Sequence, residues 1–102
     1  MSHGWSERDK SAVKAAIDRA RGRAEEEVLR EYRAISIKRV DDLWPLEHKV
    51  RSWRVMFEGK FRINYATLES DMINWLRRGW MKLCDLRSLS SDRLDRIRNK
   101  IG

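Results

Sequence analysis

The chain has one cysteine, one proline, two histidines and no uncharged stretch longer than six residues. Each shortage removes a class of protein. A single Cys84 cannot form an intrachain disulfide, and with only His3 and His48 it leaves no structural zinc set. The longest uncharged stretches, 1–6 and 63–68, are far too short for a transmembrane helix or a secretory h-region, so a soluble, cytoplasmic protein without membrane insertion is expected. Five scattered glycines offer no phosphate-cradling loop. No nucleophile has a base beside it: Cys84 has Lys82 nearby and no local histidine, and reads as a small hydrophobe. The acidic run 25–27 lacks metal-ligand spacing, so the chain is expected to be neither an enzyme nor a cofactor or metal carrier.

What is present is charge and helical periodicity. Charged residues make up 38% of the 102 residues and hydrophobic ones 41%, enough for one modest core and a single domain over 1–102. The net charge of +7 is spread along the chain with signs interspersed, the pattern of solvated helix faces rather than of a basic tail. This argues against a nucleic-acid partner. The rival reading remains a basic helical protein on nucleic acid or an anionic membrane, standing on Arg77, Arg78, Lys82, Arg87, Arg93, Arg96, Arg98 and Lys100.

The pattern predicts an all-α fold: a long N-terminal helix, a helical hairpin and short C-terminal helices, paired as an antiparallel homodimer. The first helix is predicted over 6–36, with Ser6 as N-cap and Glu7 and Asp9 in its first turn. Residues 1–5 are expected to be frayed or foreign to the natural chain. A thin stripe of Val13, Ile17, Ala20, Ala24, Val28, Tyr32 and Ile35 recurs every three or four residues. A helix near thirty residues spans roughly 45 Å, longer than the ~26 Å expected for a globule of this size. Such a rod exposes its stripe unless a second chain covers it. Gly22 inside the rod fits either a close helix crossing or a tolerated weakness.

Asp41 or Asp42 starts the second helix, Pro45 sits in its first turn, and Gly59 reads as its left-handed stop. Its seam is Leu43, Leu46, Val50, Trp53 and Phe57. A third helix is predicted from Phe61 through Tyr65, Leu68, Met72 and Trp75 to Gly79. Two short helices follow, over 82–87 and from Ser90 or Ser91 to Ile101, the latter with an Asp92–Arg96 pair. Of the five tryptophans, Trp53 and Trp75 are expected in the core and Trp80 over the last join. Trp44, ringed by acids, His48, Arg51 and Arg54, reads equally as a core cap and as an interface hot spot. His48 reads as a surface or interface histidine.

The stretch DDLWPLEHKVRSWRVMFEGKFRINYATL resembles the centre of the fluorescence recovery protein family, roughly DDLWxLHDxLxxxRxEIDGKYDYRYSVL, and the tail GWMKLCDLRSLSSDRLDRIRNKIG resembles that family's ending. The resemblance covers residues 41–101; the first helix matches in kind rather than in motif. It implies small all-α homodimers joined through the long N-terminal and second helices. It also implies a protein partner, the orange carotenoid protein, engaged chiefly through its C-terminal domain. The family speeds return of the photoactivated red form to orange, which ends quenching at the phycobilisome and restores fluorescence without a cofactor.

Position by position, Leu43 matches a dimer-contact leucine, Trp44 the family tryptophan, and Arg54 an arginine important for the active dimer. Lys60 and Tyr65 match within the Gly-Lys-aromatic segment. The expected dimer interface is therefore Val13, Ile17, Ala20, Ala24, Leu43, Val50 and Trp53. The expected partner surface is Trp44, Glu47, His48, Arg51, Arg54 and Lys60. Two departures stand out. Glu47 and His48 replace a family histidine–aspartate pair, and Arg62 stands where aspartate is usual, which points to a weakened or redirected partner.

Overall fold

The computed structural model describes residues 4–101. Four α-helices and two 3-10 turns follow one another: α1 Glu7–Arg33, a turn Val40–Asp42, α2 Leu43–Gly59, α3 Leu68–Arg78, a turn Leu83–Leu86, and α4 Ser91–Ile101. No strand occurs among the described residues, and no helix there is long and apolar enough to cross a membrane.

α1 begins as its sequence dictates. The Ser6 hydroxyl accepts the Asp9 N–H at 3.1 Å, and Glu7 and Asp9 meet the positive helix end. The helix stops at Arg33 rather than Ser36, with the Ala34 N–H closing back on the Arg30 and Glu31 carbonyls. An extended elbow follows, and the Asp42 carboxylate ties it down by accepting the Lys38 and Arg39 N–H groups at 2.9 and 3.1 Å.

α2 ends differently from its expected stop. Gly59 is a helical residue and Lys60, the C-cap, is right-handed with φ −76°, its N–H donating to the Met56 carbonyl. The chain then turns inward so that Phe61 enters the core, its ring 5.7 Å from Phe57, 5.8 Å from Trp75 and 5.7 Å from Trp80. Phe61 and Tyr65 thus precede α3 instead of lying on it. Asn64 sustains the turn, accepting the Ala66 N–H on Oδ1 and the Thr67 N–H on its carbonyl. Gly79 does supply the left-handed stop to α3, at φ 80°.

The core gathers the N-terminal part of α1 against everything after Lys60. Val13, Ala16, Ile17, Ala20 and Ala24 are buried there with Leu68, Met72, Trp75, Trp80, Met81, Leu86 and Ile97. Burying a leucine- or methionine-sized side chain is worth roughly 1.5–3 kcal/mol. Trp5 belongs to this core as well, 4% exposed, its indole N–H donating to the Tyr65 carbonyl at 3.3 Å. That corrects the expectation of a frayed start for residues 4–5; residues 1–3 lie outside the described ones. Trp53 is half-buried rather than core, and Cys84 is exposed. Val13, Ile17, Ala20 and Ala24 are covered by their own chain, which corrects their assignment to a dimer interface.

Charged side chains lock the helices around this core. The buried Arg93 reaches Asp9 at 3.3 Å and Glu69 at 3.0 Å while its guanidinium lies 3.6 Å from the Trp5 ring centre. Asp9 also accepts the Ser90 N–H and hydroxyl at the start of α4. Arg96 turns to Glu69 rather than pairing with Asp92. On the other side Arg23 grips Asp85 with two N–H groups, at 2.5 and 3.2 Å, and donates to the Trp80 carbonyl.

The Arg23 hydrogen bonds hold the Asp85 carboxyl below the usual carboxylate range against the opposing pull of burial. A carboxylate with a depressed folded pKa stabilises the fold fully above its unfolded value, near 4, and ceases to do so as pH falls through the depressed one. Asp85→Asn is expected to cost about 2 kcal/mol at pH 7, less than the roughly 3–5 kcal/mol for breaking a fully buried pair because Arg23 is partly solvated. The deficit relative to the parent should shrink below about pH 4, as urea unfolding across pH will show. At Gly22 an added Cβ would meet nothing within 4 Å. Gly22→Ala should therefore raise stability by about 0.5–1 kcal/mol in the same assay, and a loss instead would reveal a close crossing with another chain.

Candidate protein-docking surface

The apolar residues divide along the chain. Every buried hydrophobic side chain falls within 5–24 or 61–97, whereas the exposed large ones are Leu29, Tyr32, Ile37, Val40, Leu43, Trp44, Val50 and Val55. The molecule is accordingly a cored head and an arm without a core. The arm comprises the C-terminal part of α1, the elbow and α2, and α2 contains no buried residue. The shape follows: a radius of gyration of 16.6 Å and extents of 54 × 26 × 20 Å, against ~13 Å for a compact chain of this length.

α2 runs back beside α1 through a few contacts. Lys49 pairs with Glu31 at 2.9 Å, and the Arg21 guanidinium lies 5.8 Å from the Phe57 ring centre. At its far end α2 is anchored by Met56 and Phe57, which pack against the core. Between these ties its faces are open. Periodicity arranges them: Leu43, Leu46, Val50, Trp53 and Phe57 share one stripe, and Trp44, Glu47, Arg51, Arg54 and Glu58 share the next. The second stripe is charged but internally paired, Arg51 with Glu47 at 3.0 Å and Arg54 with Glu58 at 2.9 Å.

The structure therefore brings Trp44, Glu47, His48, Arg51 and Arg54 onto exposed positions of one helix. Trp44, 58% exposed, crowns them and is no core cap. Lys60 stands apart beyond the end of α2, where it lines a cavity with Arg62 and Arg78. Of the residues expected to join two chains, Leu43, Val50 and Trp53 remain uncovered or partly so. Leu29, Ile37, Val40 and Val55 are exposed as well, Val55 on the Trp44 side of α2, and no single helical seam in the sequence marked them. Among the described residues no group of three or more His, Cys, Asp and Glu is placed to hold a metal ion.

Exposed i,i+4 pairs contribute little to folding. Arg51→Ala is expected to change protomer stability by less than about 0.5 kcal/mol in urea unfolding.

Comparison with known proteins fits this architecture. The sequence profile of the family described as photoprotection regulator fluorescence recovery protein matches residues 5–100. The fluorescence recovery protein of Fremyella diplosiphon superposes with a TM-score of 0.82 at 26% identity, covering 94% of this chain and 96% of that one. The fluorescence recovery protein of Synechocystis sp PCC 6803 gives 0.80 at 23% identity, covering 93% and 95%. Among curated protein sequences none matches. The match spans both the cored head and the open arm, and the chain belongs to the fluorescence recovery protein family.

Proposed function

We propose that this protein is a non-enzymatic homodimer that binds a second protein through the α2 face. In the manner its family resemblance implies, it would speed relaxation of an orange carotenoid protein from red to orange. The observation that carries this reading is the coreless arm: eight large hydrophobic side chains, from Leu29 to Val55, exposed on two helices and the elbow between them. A helix of seventeen residues with nothing buried is marginal in water. Exposed apolar side chains gathered on one part of a molecule mark an interface.

A two-fold pairing is the economical cover, because it presents the same patch on both chains and closes on itself. In that arrangement the C-terminal part of α1 and the Leu43/Val50/Trp53 stripe of α2 lie against their counterparts. Stable interfaces of this type take about 800 Å² from each partner, and the arm has length enough to supply it. The Trp44 stripe then faces outward for the second protein. Trp and Arg are the side chains that most often carry binding energy at such sites. No chemistry is required of the protein. Tighter binding to one conformation of the partner, or to the path leading to it, is sufficient.

The departures at His48 and Arg62 bear on strength. Replacing one interface carboxylate by a group that cannot accept the same charged hydrogen bond costs about 2 kcal/mol, near thirtyfold in affinity. A carotenoid protein with the usual partner surface should therefore respond weakly, and a partner with altered charge more strongly. The nucleic-acid alternative loses part of its footing, since Arg93, Arg96 and Lys100 turn toward Glu69.

Leu43→Glu should give a folded monomer by light scattering, because Leu43 is outside the protomer's core; a persistent dimer refutes the pairing. Mixed with photoactivated orange carotenoid protein, the parent should accelerate the red-to-orange step, His48→Asp should do so at lower concentration, and Trp44→Ala should abolish the effect. Unchanged kinetics at large excess of all three would assign this arm to a different protein.

A further inference from the structure

The end of α2, the turn after it and α3 enclose a cavity of about 850 Å³ on the head, away from the Trp44 stripe. That volume lies within the 300–1,000 Å³ typical of small-molecule sites. Half-buried Ile63 and Tyr65 line it over the edges of the almost fully buried Trp75 and Trp80. Its rim carries Lys60, Arg62 and Arg78, and the one acid on the lining, Asp71, is occupied by the Thr67 hydroxyl at 3.0 Å.

The three cations differ from most others in the head. Arg23, Arg93, Arg96 and Lys100 all meet carboxylates. Among the described residues Lys60, Arg62 and Arg78 form no ion pair. Arg62 donates only to the Glu58 carbonyl, at 3.0 Å. The Arg78 guanidinium lies over the Trp80 ring, 4.2 Å from its centre, with its N–H groups free of any carboxylate. That contact holds the guanidinium without neutralising it, which suits a planar donor for carboxylate or phosphate. The side-chain amide of Asn74, also on the lining, adds a donor and an acceptor.

We infer that this cavity binds a small organic anion, with an apolar body against Ile63 and Tyr65 and a carboxylate or phosphate toward Lys60, Arg62 and Arg78. The inference is independent of the reading of the α2 face. Dimer formation and carotenoid-protein kinetics can fail while this site stands, and the reverse.

The test titrates the full chain with the anionic dye 8-anilino-1-naphthalenesulfonate, following tryptophan and dye emission. Saturation at one dye per chain is expected. Lys60→Gln and Arg78→Gln should each weaken binding roughly fivefold or more, with thermal unfolding unchanged and Lys14→Gln, on exposed α1, binding like the parent. The neutral N-phenyl-1-naphthylamine, which has the same rings without the sulfonate, should bind roughly tenfold more weakly. Inorganic phosphate and benzoate then compete with the dye, and the stronger competitor tells phosphate from carboxylate. No saturation at millimolar dye, equal binding of the neutral dye, indifference to both substitutions (as for dye on the apolar arm), or displacement by neither anion would overturn the proposal.

Discussion

One helix serves two environments, and the rest of the structure depends on that division. The first five turns of α1 lie under the chain's own C-terminal third, with Val13, Ala16, Ala20 and Ala24 excluded from solvent. The remaining turns carry Leu29 and Tyr32 into water. A helix is continuous and stiff, so whatever fixes its buried part also aims its exposed part. The head is thus a mount and the arm a projecting surface. A small core makes this feasible only because the buried stripe is mostly alanine, which lets Trp80 and the 83–86 turn approach closely.

The polar contacts in the head follow from the same need. With few large side chains to interlock, the orientation of α4 and of the 83–86 turn against α1 is set by Arg93 bridging Asp9 and Glu69 and by Arg23 forking onto Asp85. Partly buried pairs of this kind add modest net stability, because desolvation offsets much of the attraction. Their value here is directional. Bidentate geometry and stacked guanidinium groups permit few alternatives, so the head holds one arrangement and the arm one direction. Trp5 shows how far the lock extends: its ring is covered by Arg93 and its indole N–H reaches the chain sixty residues on.

Helical periodicity made the all-α class, the start of α1, the stop at Gly79 and both 3.5-residue stripes legible in the sequence. It could not say which molecule covers a stripe. Val13 and Leu43 look alike as apolar positions on amphipathic helices, yet the former is buried in the protomer's own core and the latter is open. Nor could it separate Gly59 from Gly79. Both precede an aromatic segment, but Phe61 is drawn directly under Trp75 and Trp80 from a right-handed Lys60, so no left-handed turn is needed. Trp5 was missed because it precedes the first periodic residue, and its partners, Tyr65 and Arg93, are distant in sequence. Periodicity alone left Trp44 undecided between core cap and surface, and the structure exposes it.

Charge is distributed differently over the two parts, and the difference has a physical consequence. Along α2, Arg51 and Arg54 are answered by glutamates one turn away, so that face presents alternating charge around Trp44 with little net field. In the proposed docking, a partner would exchange one set of weak, solvated pairs for another, so that apolar contact would set affinity and charge would set register and specificity. On the head, Lys60, Arg62 and Arg78 line one cavity with a single acid, Asp71, and none of the three forms an ion pair among the described residues. Three like charges around one concavity repel each other, and the fold tolerates this because Arg78 lies over Trp80 and the others reach solvent. An anion entering there would relieve the repulsion as well as add its own contacts. α3 and the 60–67 turn join α2 to the core through Phe57 and Phe61, so the cavity sits at the joint through which the head holds the arm.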